Sequence, residues 1–330
     1  RIPDAATLDQ LLHDLLQQGD WQRCAQRAAD WQGALAAQAL WLGQKLEQLA
    51  SVDSLGDWLN SLGHASLRQM ARKVVSELSA DFVLGESIEQ ALANSQSATR
   101  YRYSFDMLGE AALSYVDAEA YYLAYRHAIV SVGQNQCDDP ADQSISIKLS
   151  ALHPRYEWRN KPRVLAEMLP MLQSLAQLAR QYQVPLTLDA EEAERLELSL
   201  DLFQSLFLSP ELQGWSGLGL ALQAYSRRAS TQIDWLAHLA RKAGKSIPLR
   251  LVKGAYWDSE IKRAQQFGQS SYPVFTRKSA TDLSYLACAR QLLDYGDLFQ
   301  PQFATHNLFS AAYVLQQSQQ RGRKVEFQRL

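Results

Sequence analysis

The chain contains only three cysteines, Cys24, Cys137 and Cys288, which lie far apart along 330 residues. Their odd number and wide separation exclude a disulfide framework and the spacing of zinc ligands. A reducing cytoplasm fits this composition best. No run approaches the roughly 18 apolar residues of a membrane-spanning helix, and the first residues lack the apolar core of a signal peptide. We therefore expect neither a membrane span nor secretion, and peripheral attachment to the inner membrane is left open.

An excess of one charge is also missing, since 33 basic residues stand against 35 acidic ones and the formal net charge is -2. No sustained basic stripe occurs, so binding of nucleic acid through this segment has no electrostatic support. A Rossmann glycine fingerprint is absent as well. A dinucleotide site would therefore have to be built from strand ends instead of a glycine-rich helix N-terminus.

Short apolar runs bounded by turn residues are what the sequence does contain, and most are separated by helical patterns. The runs lie at 101–106, 144–149, 185–189, 218–223, 247–253, 302–306 and 324–328. Nearly every run ends in polar side chains: Asp106, Lys148, Asp189, Gln223, Arg250 with Lys253, Thr305 with His306 and Asn307, and Glu326 with Gln328. This alternation predicts an α/β fold with a parallel sheet, a (βα)8 TIM-type barrel of which seven strands are recognisable.

Helical periodicity fills the intervals at 162–182, 191–207, 231–243, 258–267, 281–293 and 308–320. Two helical segments follow the fifth run, which predicts an inserted element. Residues 1–98 show no convincing strand, so we expect an all-helical arm and small α-domain there, followed by a barrel domain over 99–330. The leucine and tryptophan spacing of the first region indicates helix packing, with a partner surface as the alternative.

Several charged groups allow two interpretations. The stretch from Arg250 to Lys253 reads equally as a binding site or as a half-buried strand with solvated charges at its rim. In the acidic run 189–194 we retain only Asp189, because acidic residues in the first turn of a helix often just complement its dipole. The pairs at 227–228 and 241–242 are interpreted as solvated, and His306 could be a buried core histidine.

Five segments together, at 146–156, 188–192, 250–265, 272–278 and 303–307, closely resemble the proline dehydrogenase domain of the bacterial bifunctional enzymes called proline utilization A. The resemblance runs in order from about Tyr101 to Leu330, and the helical N-terminal region resembles that family's arm and small α-domain more weakly. It implies non-covalent FAD, oxidation of L-proline to Δ1-pyrroline-5-carboxylate as the first step of proline catabolism, and transfer of the electrons to membrane quinone.

The resemblance also implies residue roles. Lys148 would hold the proline carboxylate, Asp189 would lie near the ring nitrogen, and Tyr256 with Ala255 would pack on the substrate. Arg250 would lie near flavin N5, the atom that accepts the hydride from substrate C5. The remaining cofactor contacts would come from Gln223, Val252, Lys253, Gly254, Ala255, Trp257, Thr276, Arg277, Lys278, Thr281, Thr305, His306, Asn307 and Gln328.

Elementary chemistry agrees with these roles, because FAD carries two phosphates and its ring gains negative charge on reduction. Cations at Arg250, Lys253, Arg277 and Lys278 would stabilise both the phosphates and the reduced ring. A second hypothesis is a Schiff-base lyase or aldolase, since a strand-end lysine such as Lys148 or Lys253 forms an imine when its pKa is depressed. A third is a helical interaction module attached to a barrel that does not catalyse.

The family pattern continues past the run at 325–328 into an eighth strand and a helix bearing two arginines and a glutamate. Those arginines would complete the clamp on the substrate carboxylate. We therefore expect the native protein to be longer than 330 residues. Longer family members also carry a ribbon-helix-helix DNA-binding segment and an aldehyde dehydrogenase domain, and the latter is a partner that the resemblance suggests for the full-length chain.

Overall fold

The structure, a computed structural model, describes residues 83–96, 101–107, 109–135 and 143–329. The chain divides into two compact units, Arg1–Asn94 and Ser95–Leu330. In the first unit the described residues include most of helix α1, Ile88–Ser95. The leucine and tryptophan stripes predicted as helical at 1–82 lie outside the described residues, and the predicted domain boundary at residue 98 stays a prediction.

The second unit is built on a single sheet of seven parallel strands, whose spatial order is the order of the chain. The strands are β1 Tyr103–Asp106, β2 Gln143–Ile147, β3 Leu186–Leu188, β4 Leu218–Gln223, β5 Ile247–Val252, β6 Phe299–Ala304 and β7 Glu326–Gln328. The predicted seven-strand α/β architecture is thereby confirmed. Strictly consecutive parallel neighbours are the arrangement found in a TIM-type barrel.

In the described part of this unit, seven helices flank the sheet: α2 Tyr115–Gln134, α3 Lys161–Gln181, α4 Leu196–Phe207, α5 Ala229–Ala243, α6 Trp257–Gln266, α7 Lys278–Asp294 and α8 Leu308–Gln320. Local signals account for several of their ends. Ser114 and Asp117 form a reciprocal capping box at the start of α2, and Gly244 ends α5 in the left-handed conformation. The extra helix α6 after β5 is the insertion that the sequence predicted.

Three predicted boundaries differ from the structure by three residues or more. The helix expected from residue 281 begins at Lys278. The helix expected from residue 191 begins at Leu196, because the chain around Glu192 is extended and Ala193–Arg195 forms a 3-10 turn. Strand β6 begins at Phe299, three residues before the predicted start, and it includes Pro301, which pairs with Leu249 of β5. Proline is disfavoured in central strands, so local sequence argued against this extension.

The sheet curls, and one side chain demonstrates it. Arg250 of β5 reaches Ser104 of β1, although three strands lie between β5 and β1 in the sheet. A core of fully buried side chains such as Ile145, Leu172 and Tyr285 fills the space between the sheet and its helices. The concave side of the sheet is left for the polar strand ends. Among the described residues, no helix is both long and apolar enough to cross a lipid bilayer.

Candidate active site

Arg250 lies at the centre of the polar cluster on the concave side of the sheet. Its Nη1 donates to Ser146 Oγ at 2.7 Å and to Asp189 Oδ1 at 3.1 Å, and its Nη2 donates to Ser104 Oγ at 2.7 Å. Its Nε is buried and has no hydrogen-bond partner among the residues that the structure describes. One guanidinium therefore ties β5 to the first three strands, and it retains a donor that a ligand could use.

Lys148 follows β2 directly and lies between two carboxylates. Its Nζ donates to Asp106 Oδ2 at 2.7 Å and to Asp189 Oδ2 at 3.0 Å, while its backbone N–H donates to the hydroxyl of Tyr125 at 3.1 Å. Burial alone would lower the pKa of Lys148, but the charges of Asp189 and Asp106 outweigh burial and raise that pKa above its ordinary value. The lysine has no acidic neighbour in sequence, but the fold supplies two.

Asp189 joins the two cations into one network. Its two carboxylate oxygens accept from different partners, one from Lys148 and the other from Arg250. Burial, and then the charge of Asp189, raise the pKa of Asp106 on the far side of Lys148. The positive charges of Lys148 and Arg250 balance the negative charges of Asp106 and Asp189. A zwitterionic ligand could therefore replace an internal ion pair without changing the net charge of the cluster.

The loop after β5 holds the aromatic side of the site. Tyr256 donates its hydroxyl hydrogen to Glu110 Oε2 at 2.8 Å, and burial together with this carboxylate raises the pKa of Tyr256. The indole N–H of Trp257 donates to the carbonyl of Phe275 at 2.9 Å. This contact joins the start of α6 to the segment that leads into α7.

Gly254 precedes these aromatic residues with a φ of +138°, which favours glycine. A side chain at this position would also place its Cβ 2.4 Å from the ring of Tyr225. The exposed backbone of the loop therefore rests on a buried tyrosine ring. The next residue, Ala255, donates its N–H to Gln223 Oε1 at 2.9 Å, and Val252 ends β5 half-buried.

A second cluster of cations lies at the beginning of α7. Lys253 and Lys278 both form ion pairs with Asp282, and their hydrogen bonds lower the pKa of that carboxyl. Arg277 is exposed at the N-cap position, and no side chain caps the helix. A helix N-terminus with adjacent cations is a general binding site for phosphate groups. Thr276 is exposed and Thr281 is buried in the first turn of the helix.

The end of β6 leads directly into α8. Thr305 Oγ1 accepts from the N–H of Asn307, whose own side chain caps the helix through the N–H of Ser310. The N–H of Thr305 donates to the carbonyl of Gln328 at 3.3 Å. His306 is exposed, so its alternative interpretation as a buried core histidine is wrong.

The structure thus brings Lys148, Asp189 and Arg250 into direct contact, and it gathers Lys253 and Lys278 around one carboxylate. Among the described residues, no hydrogen bond or ion pair joins these two clusters. Sequence reasoning assigned no role to Ser104, Ser146, Asp282 or Tyr225, which hold these cations and the glycine loop. The serines occupy alternate strand positions on the concave side, and only that periodicity could have indicated them.

Across residues 83–96, 101–107, 109–135 and 143–329, no group of three or more histidine, cysteine, aspartate or glutamate side chains could hold a metal ion. A curled parallel sheet with paired cations and carboxylates at its strand ends defines a class of proteins that bind small charged ligands and anionic cofactors there.

Comparison with known proteins narrows this class. The family model described as proline dehydrogenase matches residues 90–330, and one described as the DNA-binding domain of proline dehydrogenase matches residues 1–82. The bifunctional protein PutA of Klebsiella aerogenes is 46% identical over 324 residues, which cover 96% of this chain and 25% of that protein. The chain belongs to the proline dehydrogenase family, as its sequence resemblance predicted.

Solved structures agree with this placement. A variant of proline utilization A from Bradyrhizobium japonicum is 43% identical and superimposes with a TM-score of 0.73, covering 100% of this chain and 34% of that one. Proline utilization A from Bdellovibrio bacteriovorus, at 23% identity and a TM-score of 0.78, covers 99% and 37% and shares the fold. This chain spans about a quarter of the length of the PutA relatives, as the 25% share of the Klebsiella protein illustrates.

Proposed function

We propose that this chain carries the site at which L-proline is oxidised to Δ1-pyrroline-5-carboxylate by FAD. The observation that carries the proposal is the charge-balanced cluster in which Asp189 joins Lys148 to Arg250 at the carboxyl ends of three strands. Proline is a zwitterion of matching size and charge. Membership of the proline dehydrogenase family supports the same reaction.

Proline would bind by breaking the Lys148–Asp189 ion pair and forming one new ion pair with each of these two residues. Its carboxylate would take the place of Asp189 beside Lys148, and its secondary ammonium group would lie against Asp189. Because the raised pKa of Lys148 keeps this side chain protonated at neutral pH, the lysine is always able to receive an anion. The net charge of the site would not change, which limits the desolvation cost of binding. Tyr256 and Ala255 would contact the ring of the substrate.

The residues present fit FAD. Three cations near the start of α7, Lys253, Arg277 and Lys278, with one carboxylate, Asp282, leave two positive charges to match two phosphates. The buried Nε of Arg250 is a donor without a partner, as a ring nitrogen acceptor would require. When bound, FAD would supply a hydride acceptor at its N5 atom. The residues that would hold it are Gln223, Val252, Lys253, Gly254, Ala255, Trp257, Thr276, Arg277, Lys278, Thr281, Thr305, His306, Asn307 and Gln328, besides Arg250.

The chain's own groups would do three things during the reaction. Lys148 and Asp189 would orient the substrate so that C5 faces the flavin, which is a positioning effect. Arg250 would stabilise the negative charge that develops on the flavin ring. Tyr256, beside the substrate ring, and Trp257, beside the flavin, would exclude water from the reacting atoms. Electrons would then pass to a membrane quinone, in a cytoplasmic protein that associates peripherally with the inner membrane.

The Schiff-base alternative is disfavoured by the carboxylates that surround the two strand-end lysines. An imine-forming lysine requires a depressed pKa, whereas Lys148 has a raised pKa. Lys253 is held in an ion pair with Asp282. Borohydride in the presence of a carbonyl substrate should therefore trap no adduct on either residue. A non-catalytic interaction module would bind no flavin, and a yellow purified protein would argue against it.

The decisive experiment is anaerobic addition of L-proline to the flavin-loaded full-length protein. We expect loss of the oxidised flavin absorbance together with formation of Δ1-pyrroline-5-carboxylate, and a much slower response to D-proline. A protein that binds FAD but shows no bleaching with L-proline would exclude the proposed activity. Absence of bound flavin after reconstitution would exclude the cofactor assignment.

Residues 1–82 raise a separate question about partners. The family model that matches them names DNA binding, but this segment contains seven basic and ten acidic residues. This charge balance supports the expectation that the segment does not bind nucleic acid by itself. A gel-shift assay of the full-length protein with duplex DNA at low and physiological salt, with and without residues 1–82, tests it. The proposed partners of the barrel unit are L-proline, a quinone and an aldehyde dehydrogenase domain of the full-length chain.

A further inference from the structure

A continuous series of hydrogen bonds connects the loops that follow the first five strands. After β1, the N–H groups of Ala111 and Ala112 donate to the hydroxyl and carbonyl oxygens of Ser150, at 3.0 and 2.9 Å. The N–H of Ser150 donates to Glu191 Oε1 at 3.0 Å. The loops after β1, β2 and β3 are thereby held at fixed separations.

The series continues through the backbone of the same glutamate. The side-chain amide of Gln223, at the end of β4, donates to the carbonyl of Glu191 at 2.8 Å and accepts from the N–H of Ala255 at 2.9 Å. Ser150, Glu191 and Gln223 are buried, with exposures of 1%, 8% and 7%. Glu191 is the central link, because its side chain binds the loop before it and its carbonyl binds the strand after it.

Three members of this series lie close in sequence to residues of the proposed site. Ser150 is two residues after Lys148, Glu191 is two residues after Asp189, and Ala255 immediately precedes Tyr256. The relative positions of these three site residues therefore depend on contacts that Glu191 makes.

Burial of an unpaired carboxylate is costly, and Glu191 has the partners needed to offset that cost. Its Oε2 accepts from Arg195 Nη1 at 2.7 Å, while its Oε1 is used by Ser150. Glutamine could retain the contact with Ser150, but its amide group would face the guanidinium with donors on both sides. Alanine would remove both contacts. Local sequence gives no reason for a charged residue to be buried here.

We propose that Glu191 is a positioning residue for the proposed oxidation: it sets the distances among Lys148, Asp189 and Tyr256 by joining the loops that carry them. This inference rests on the proposed function. Removing the outer partners that orient the ligands of a metal site typically changes activity 10- to 100-fold, and we expect an effect of the same order for a glutamate that orients these loops. We expect Glu191→Ala to lower kcat/KM for proline by about that factor. The loss should fall mainly on kcat, and bound FAD should be retained.

The test has a second readout that does not require activity. In the flavin-loaded full-length protein, hydrogen–deuterium exchange should accelerate at the amides of Ser150 and Ala255 in the Glu191→Ala variant. Ala255 is diagnostic, because it has no contact with the removed side chain. Its link runs through Gln223 to the backbone carbonyl of residue 191, which the substitution keeps, so exchange at Ala255 accelerates only if the Glu191 side chain fixes the position of that carbonyl. Glu197→Ala is the matched control, since this exposed glutamate forms an ion pair with Arg228 and contacts no member of the series. It should leave both readouts unchanged.

Unchanged exchange at Ala255 would overturn the proposal, and so would kcat/KM of Glu191→Ala within twofold of the unsubstituted protein. If that variant does not fold, the same two criteria apply to Glu191→Gln, for which we expect an intermediate loss. If the unsubstituted protein itself fails to oxidise proline, the proposed function fails. The exchange result then decides the positioning role alone.

Discussion

Replacing Arg250 with methionine separates the proposed flavin role of this side chain from its role in the fold. The substitution keeps a long apolar stem but removes the three hydrogen bonds to Ser104, Ser146 and Asp189. Asp189 does not become an unpaired buried charge, because it retains its 3.0 Å contact with Lys148. The protein should therefore fold.

The expected magnitudes differ between stability and activity. Each hydrogen bond to a charged group contributes about 1.5 to 3 kcal/mol, so loss of the three bonds should cost several kcal/mol, less the desolvation penalty of the buried guanidinium, which is lost with it. In a unit of this size each kcal/mol lowers the melting temperature by roughly 2 to 4 °C. Loss of one preorganised charge contact to a reacting group should lower the rate by about 10² to 10³. Flavin affinity should fall as well, because the Nε donor disappears with the guanidinium.

The assay combines thermal melting, flavin content after dialysis and the rate of anaerobic flavin reduction by proline. Arg290→Met is the matched control, since Arg290 is exposed and its contact with Asp294 is a 3.9 Å surface pair. It should match the unsubstituted protein in all three measurements. Normal flavin content and turnover in Arg250→Met would refute the assignment of this strand end.

Three further substitutions test other parts of the site and fold. Lys148→Ala should raise the KM for proline roughly 10- to 100-fold with FAD still bound; unchanged binding of a carboxylate-bearing proline analogue would refute this role. Gly254→Ala should displace the Tyr225 ring and reduce flavin affinity, whereas Gly268→Ala, also at positive φ but with open space around it, should cost only about 1 kcal/mol; equal flavin affinities would contradict the clash. Burial lowers the pKa of Lys245 from its ordinary value of 10.5 to about 8. Between pH 8 and 10.5 the unfolded chain therefore binds more protons than the folded one, and the free energy of unfolding rises with pH. Urea unfolding at pH 7 and 9.5 should show a smaller rise in Lys245→Met, and the same rise in both proteins would count against this prediction.

Alternation of short apolar runs with helical patterns was sufficient to predict seven parallel strands, because side-chain periodicity is a local property of the chain. The polar residues at the ends of the runs were visible for the same reason. Parallel strands bring their carboxyl ends to one edge, so the positions of Lys148, Asp189 and Arg250 at strand ends are enough to predict that they lie near one another.

The partners of these residues were decided by the tertiary structure. Arg250 and Ser104 are 146 residues apart, and they meet only because the sheet curls. The burial and contacts of Glu191 were likewise not visible in the sequence. In sequence it is one of several acidic residues before a helix, which is where acidic residues commonly offset the helix dipole. Its burial, and its contact with an amide 41 residues earlier, arise from the packing of successive loops, which no local pattern records.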